Sequence, residues 1–280
     1  NLRAWLVCIT EQELMLLFSQ RQLQEQIEQM GILPSDTLLI HSSMKAIGEV
    51  EGGADTVLDA FIDYLHKGLL VLPTHTWKQI NDEYNVFDVL HEPSCVGILT
   101  NIFRQRPGVI RSWHPTHSVA AYGKDAAEYT RGEEQHDTPC PRAGCYGKLY
   151  DRGAKILFIG CGLDRNTTIH GVEEWNQIPN RISSTPQELW IRTPHGEMIH
   201  RPMYQHYCPI GDVSANYGKL EAPLLALGFA RRGTFGRAAS IVVDVVPMVD
   251  LTTAFLKRNP DLFIDDSPVP PEWYTVKGAS

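Results

Sequence analysis

The sequence predicts a layered α/β protein, and three observations carry that prediction. Short apolar runs bounded by turn residues lie at 37–41, 69–73 and 155–160, the pattern of strands buried on both faces. Between them, apolar residues recur at helical spacing, as in Ala54, Val57, Leu58, Phe61, Ile62 and Leu65. The two patterns alternate along the chain, which is how a sheet covered by helices is written in sequence.

Each element follows in order. Ser19 with Gln22 three residues on is a helix-opening capping box; Leu23, Ile27 and Met30 share one face, and Gly31 supplies the left-handed stop. After the Pro34-Ser35-Asp36 turn comes the first strand, ending in the polar His41-Ser42-Ser43. Lys67-Gly68 closes the next helix before the second strand. A helix at 96–104, a strand at 118–122 and the strand at 155–160 continue the alternation. Beyond residue 185 the pattern changes to a hairpin around Pro194-His195-Gly196-Glu197, a helix at 217–227 and a strand at 240–246. Without a repeat or a low-complexity linker, this last third extends the same domain, so 19–280 reads as one domain after an N-terminal extension at 1–18. In that extension, Ala4-Trp5-Leu6-Val7-Cys8-Ile9 is too short for a membrane span and lacks a small-residue cleavage site, so it is not read as a signal peptide.

Composition narrows the function classes. The 280 residues carry 33 acidic and 25 basic side chains, a formal charge of −8, and a polyanion partner wants a basic surface, so nucleic acid is not expected. At 43% apolar and 21% charged the chain is ordinary globular protein, and it has no apolar run of membrane length. Six dispersed cysteines without CxxC spacing predict neither a zinc ribbon nor a disulfide framework, and fit a reducing, cytoplasmic setting.

The densest constellation runs from Gly160 through Asp164, Asn166, Thr167, Thr168, His170, Glu173 and Glu174 to Trp175. A buried strand ends in a Gly-x-Gly turn, Asn166 or Thr167 caps the following helix, and His170 falls in its first turn. Glu173 and Glu174, one turn on, can both approach His170, hold one ring nitrogen as a donor and raise the basicity of the other. Free N–H groups at the helix start suit an oxyanion or a phosphate. The plain alternative is a first-turn histidine bonded to its neighbouring carboxylate and nothing more.

Two further segments invite ligands. In Arg111-Ser112-Trp113-His114-Pro115-Thr116-His117-Ser118, the arginine and serine suit a phosphate or carboxylate, while His114 and His117 suggest a metal pair without a local Cys or Glu to complete it. A histidine before proline equally packs and bonds to backbone. The Ser42-Ser43 loop followed by Glu51-Gly52-Gly53 suits close approach of a ligand, but has neither P-loop nor GxGxxG spacing. Cys140 and Cys145 read as packing residues, and no GxSxG elbow marks a serine hydrolase. The irregular stretches 74–93 and 131–147 read as binding loops.

Taken together and in order, Leu39-Ile40-His41-Ser42-Ser43, Glu51-Gly52-Gly53-Ala54, Leu72-Pro73-Thr74, Arg111-Ser112-x-His114-Pro115, 155–160, Asn166-Thr167-Thr168-Ile169-His170-x-x-Glu173 and Gly233-Thr234-Phe235-Gly236-Arg237-Ala238 resemble the aminoglycoside 3-N-acetyltransferase family. The resemblance implies a three-layer α/β/α fold, distinct from the GNAT acetyltransferases, with a mixed central sheet and a C-terminal α+β extension. It implies acetyl transfer from acetyl-CoA to a primary amine, the 3-amino group of the 2-deoxystreptamine ring of an aminoglycoside antibiotic, hence resistance, without a metal. His170 would be the base and Glu173 its orienter, and Thr168 would bond the thioester oxygen or the substrate. Ser42, Ser43, Arg111, Ser112 and His114 would line the CoA side, and Asp164 and Glu174 would meet the acceptor.

The acidic residues Asp82, Glu83, Asp88, Glu92, Glu133, Glu134 and Asp137 would steer a polycationic acceptor to the mouth of the site. Three other readings stand beside this one: the same enzyme class acting on another amine, a metal hydrolase built from His114, His117, His170 and Glu173, and a CoA-binding protein without catalysis.

Overall fold

The computed structural model describes residues 17–275. The reading of 1–18 as an extension therefore falls almost wholly outside the described residues. From Ser19 onward the elements are α1 (Gln20–Gln29), β1 (Thr37–Ser42), α2 (Met44–Ile47), α3 (Ala54–Tyr64), β2 (Leu69–Pro73), β3 (Val86–Asp88), α4 (Ile98–Phe103), β4 (Ile110–Arg111), β5 (Val119–Gly123), α5 (Ala126–Thr130) and α6 (Cys145–Asp151). They continue with β6 (Lys155–Ile159), α7 (Thr167–Trp175), β7 (Trp190–Arg192), β8 (Met198–His200), α8 (Glu221–Ala226), β9 (Ala230–Phe235), β10 (Ala238–Asp244) and α9 (Val245–Arg258). The capping box at Ser19 forms, with the Ser19 side chain accepting from the Gln22 backbone and the Gln22 side chain accepting from the Ser19 backbone.

The central sheet has seven strands in the order β4-β5-β2-β1-β6-β10-β9. β2, β1 and β6 run parallel, and the four outer strands add antiparallel, so the sheet is mixed. Alternation along the strands divides the core into two layers. Leu39, Val71, Ile156 and Phe158 pack with residues of α6, α7 and α9 on one face; Leu38, Ile40, Leu70, Leu72 and Leu157 pack with α1, α3 and α4 on the other. This is the three-layer α/β/α arrangement.

Four local expectations change. The stretch 74–93 contains β3, which pairs in parallel with β7, itself antiparallel to β8, in a small second sheet. The helix expected at 217–227 is a 3-10 segment, Val213–Leu220, followed by α8. The strand expected at 240–246 is β10, which ends at Asp244; Val245 and Val246 instead open α9, so the extension returns to the central sheet before ending in a long helix. The stretch 131–147 holds a 3-10 turn, Glu133–Gln135, and the start of α6. Among the described residues no helix is long and apolar enough to cross a membrane, and Cys95, Cys140, Cys145, Cys161 and Cys208 are free thiols.

One backbone feature sets the site. At the end of β6, Gly160 takes φ +63, and a Cβ there would sit 2.2 Å from the Ala46 side chain, so only glycine lets the chain turn against α2 at this point. The turn carries the chain through the 3-10 segment Leu163–Arg165 into α7, at the carboxyl end of the parallel strands.

Candidate active site

α7 begins where the motif predicts, with Asn166 as its cap. The Asn166 side chain accepts from Thr168 N at 3.2 Å, and its main-chain oxygen accepts from Ile169 N. Two of the N–H groups expected to be free for a ligand are therefore already paired. The start of α7 still faces a cavity of about 440 Å³ through Asn166 and Thr167, with His41 and Ser42 from the end of β1 and His75, His117 and His206 from three loops on its walls.

His170 is partly buried and lines this cavity. Its Nδ1 lies 2.8 Å from Tyr217 Oη, and Tyr217 donates to Glu173 Oε2 at 2.5 Å. The tyrosine has one proton, which the carboxylate takes, so the other contact runs the opposite way: His170 Nδ1–H donates to the tyrosine oxygen. That fixes the tautomer and leaves Nε2 as the ring's lone-pair nitrogen. Glu173 is held in turn by Arg181, whose Nε donates to Oε1 at 2.6 Å in a buried ion pair. The link from carboxylate to imidazole runs through Tyr217, not directly as the helical spacing suggests.

The electrostatics differ from the expectation too. Burial lowers the His170 pKa to about 4; Asp212 opposes the shift and Arg181 adds to it. The Glu173 charge is balanced by Arg181, so the carboxylate does not make the imidazole more basic. Burial pushes Glu173 up, while hydrogen bonds from Tyr217 and Arg181 and the charge of Arg181 pull it back. Burial likewise raises Tyr217 well above its ordinary range. His170 is thus neutral at pH 7, the form a base requires, because of desolvation rather than because of its neighbour's charge.

The other expected site residues divide sharply. Asp164 and Ser42 line the cavity, with Asp164 paired to Arg165 at 3.0 Å. Ser43 caps α2 outside the cavity wall. Thr168 is fully buried with its hydroxyl unpartnered, and it is Thr167 that reaches the wall. Glu174 faces away from the cavity, accepting from Thr138 Oγ1 and from Cys140 N at 3.1 Å.

Arg111, Ser112 and His114, expected on the CoA side, are not on the wall of this cavity and bond within the protein. Arg111 donates to the backbone oxygens of Thr74, Val89 and Glu92 and to the hydroxyls of Thr74 and Ser118. The Ser112 hydroxyl accepts from Val119 N. His114 Nδ1 accepts from Thr116 N and His117 N, so its Nε2–H donates to Thr138 O at 3.0 Å, and both nitrogens are engaged. The four residues of the metal reading do not converge, since His114 has no free nitrogen and Glu173 sits in its ion pair. Among the described residues no group of three or more His, Cys, Asp or Glu is arranged to hold a metal ion. Burial raises the Cys140 and Cys145 thiols well above their ordinary range, which leaves them unreactive.

The expected acidic mouth is dispersed. Glu92 is buried and accepts from Gln79 and Tyr84, Glu133 accepts from Cys145 N, and Asp82 from Glu188 N. The carboxylates on the cavity wall are Asp164 and Asp212. Sequence reasoning missed Tyr217, His206, His75 and Asp212. For His75 a signal existed, because it stands two residues beyond the end of β2, where ligands gather in such sheets.

A second cavity of about 300 Å³, bordered by Arg181, Tyr207, Cys208 and Gly211, meets the first at His170, His206 and Asp212. His170 therefore stands where two chambers join.

Residues 39–257 match the family model described as aminoglycoside 3-N-acetyltransferase. Among curated relatives, aminoglycoside N(3)-acetyltransferase VII of Streptomyces paromomycinus is 25% identical over 267 residues, covering 86% of this chain and 92% of the relative. Among solved structures, AAC-IIIb in binary complex with CoASH superposes with a TM-score of 0.77 at 22% identity, covering 91% of this chain and all of that one. AAC-VIa bound to sisomicin gives 0.72 at 22% identity, covering 86% of this chain and 98% of that one.

Proposed function

The chain belongs to the aminoglycoside 3-N-acetyltransferase family, and from that premise we propose that it moves the acetyl group of acetyl-CoA directly to the 3-amino group of the 2-deoxystreptamine ring of an aminoglycoside, with His170 as general base, and so confers antibiotic resistance. The observation that best supports this reading is the Arg181–Glu173–Tyr217–His170 chain, which holds the imidazole in one tautomer at the junction of two cavities. Direct transfer requires the acceptor to reach the base beside the thioester, and His170 borders both chambers.

The steps follow from the groups present. An ammonium has no lone pair, so the acceptor first gives one proton to solvent; as the free amine attacks, His170 Nε2 takes a second proton from its nitrogen. The amine nitrogen bonds to the thioester carbonyl carbon, and negative charge develops on the oxygen near the positive end of α7 at Thr167. Collapse breaks the carbon–sulfur bond, and the proton on His170 passes to the departing CoA thiolate. The balance is one amide and one CoA thiol from one amine and one thioester. The relay supports this cycle because an imidazolium formed at His170 keeps its Nδ1–H bonded to Tyr217, beside the Glu173 carboxylate.

One observation favours a second reading, the same chemistry on another amine. The cavity wall sets Asp164 and Asp212 against Arg165, a thin complement for a polycation. Purified protein incubated with acetyl-CoA, a thiol reagent and a 2-deoxystreptamine antibiotic should release CoA, and His170→Ala should abolish the release while CoA binding survives. Full turnover in the alanine variant removes His170 from the mechanism. Turnover with a simple diamine but with no aminoglycoside selects the second reading.

A further inference from the structure

The acid–base reading explains Tyr217, Glu173 and Arg181, which hold one edge of His170. It leaves unexplained what holds the ring's face. A hydrogen bond at Nδ1 fixes one point of the imidazole, and rotation about the bond to the ring still changes where Nε2 points. His206 meets that face. The two rings stack at 3.9 Å between centroids and 18° between planes. His206 is itself braced on three sides. Its backbone bridges to Ile182, its ring meets His117 edge-on at 5.0 Å and 88°, and its Nε2 lies 3.7 Å from Cys140 Sγ. The brace continues from His117 to His75, whose ring lies 4.9 Å away and whose Nε2 bonds to Tyr146 Oη at 2.5 Å.

Position gives this contact a meaning beyond packing. His170 and His206 are both on the walls of both cavities, so the stacked pair forms part of the partition between the two chambers. A partition residue that tilts would turn Nε2 away from the place where the two substrates meet, and a misplacement on the order of 1 Å costs about 100-fold in rate.

We propose that His206 is a positioning residue of the transfer reaction: its flat ring, stacked on His170 and braced by His117 and Cys140, sets the plane of the base at the junction of the two cavities. The proposal rests on His170 being the base. It assigns the effect to the aromatic face of residue 206 and not to its nitrogens, because the stack uses the face while the nitrogen contact to Cys140 only steadies the ring.

Two variants of similar bulk separate face from volume: His206→Phe keeps a flat ring, and His206→Leu does not. Both are compared with wild type for thermal midpoint, CoA binding, kcat and KM, and for the NMR resonance of the His170 Nδ1 proton, which the bond to Tyr217 holds downfield and slow to exchange. The leucine variant should lose about tenfold or more in kcat, with both KM values within about threefold, and should lose the slow-exchanging proton. The phenylalanine variant should keep both close to wild type. Equal behaviour of the two variants, whether both active or both impaired, overturns the proposal. Because the proton resonance is read without turnover, failure of the stack is distinguishable from failure of the base, for which His170→Ala is the separate test.

Discussion

Two histidine segments looked alike in sequence and have opposite fates in the fold. His114, after the short β4, and His170, in α7, each follow an edge or strand end and each have polar neighbours within a few residues. In the structure both nitrogens of His114 are engaged, one by backbone donors and the other by a backbone oxygen, and the ring is fully buried. His170 has one nitrogen bonded to a side-chain relay and lines a cavity. The difference lies in hydrogen-bond accounting: a histidine saturated on both nitrogens by backbone groups ties segments together, whereas one held from a single edge has an edge left for chemistry.

The largest effect should come from removing the base. His170→Ala is expected to lower kcat by about 100-fold to 10,000-fold, the range of a positioned general base, with CoA affinity retained in a titration. A loss below tenfold would place His170 with His114 among the structural histidines. Tyr217→Phe should come next, at about 10-fold to 100-fold in kcat. It leaves the His170 Nδ1–H and a Glu173 oxygen without their shared partner, so the thermal midpoint should fall as well. If kcat is unchanged, the tautomer does not depend on the relay.

The scaffold segment should answer in stability instead. Arg111→Met strips donors from three backbone oxygens and two hydroxyls, and should lower unfolding free energy by about 2 kcal/mol or more while kcat at low temperature stays within about threefold. A large rise in the KM for acetyl-CoA with an unchanged thermal midpoint would return Arg111 to the cofactor side.

The same contrast explains what was legible in sequence. β1, β2 and β6 were readable because strands buried on both faces are continuous apolar runs, and α1 and α3 because their caps and apolar faces are local. α9 was not, since Asp244 both ends β10 and caps the helix, leaving no breaker between them. β3 is three residues long and is defined by its partner β7, a hundred residues away in the chain. In the site, His170, Asp164 and Ser42 sit at element ends that motifs mark. Tyr217 is 47 positions from His170, and Cys140 is 66 from His206, so their roles exist only after folding. The partners of Arg111, Ser112 and His114 lie up to 37 positions away in the chain, so how their polar atoms are taken up is visible only in the fold.

Acid stability tests the shared property of the two segments with the smallest expected change. Burial lowers His114 and His170 to about 4 and His41 to about 3, and places His75, His117 and His206 well below 6.5. A histidine whose folded pKa is depressed contributes stability that is complete above its unfolded value, about 6.5, and is lost as pH falls from there toward the folded value. Glu133 works the other way. Burial raises it to about 7, so its contribution is complete below the ordinary carboxyl range and fades as pH rises through 7. Burial also raises Glu173 and Glu174 and lowers His136, so three carboxyls oppose seven imidazoles, and the protein should lose stability between pH 6.5 and pH 4.5. Each titrating histidine adds at most about 1.4 kcal/mol per pH unit to that slope. His114→Gln should remove one histidine's share of it, flattening the fall in urea midpoint measured at pH 7, 6 and 5, while leaving turnover per folded molecule within about twofold. An unchanged slope would mean that His114 titrates in the folded state as it does in the unfolded chain, and burial would then not be what keeps these rings neutral.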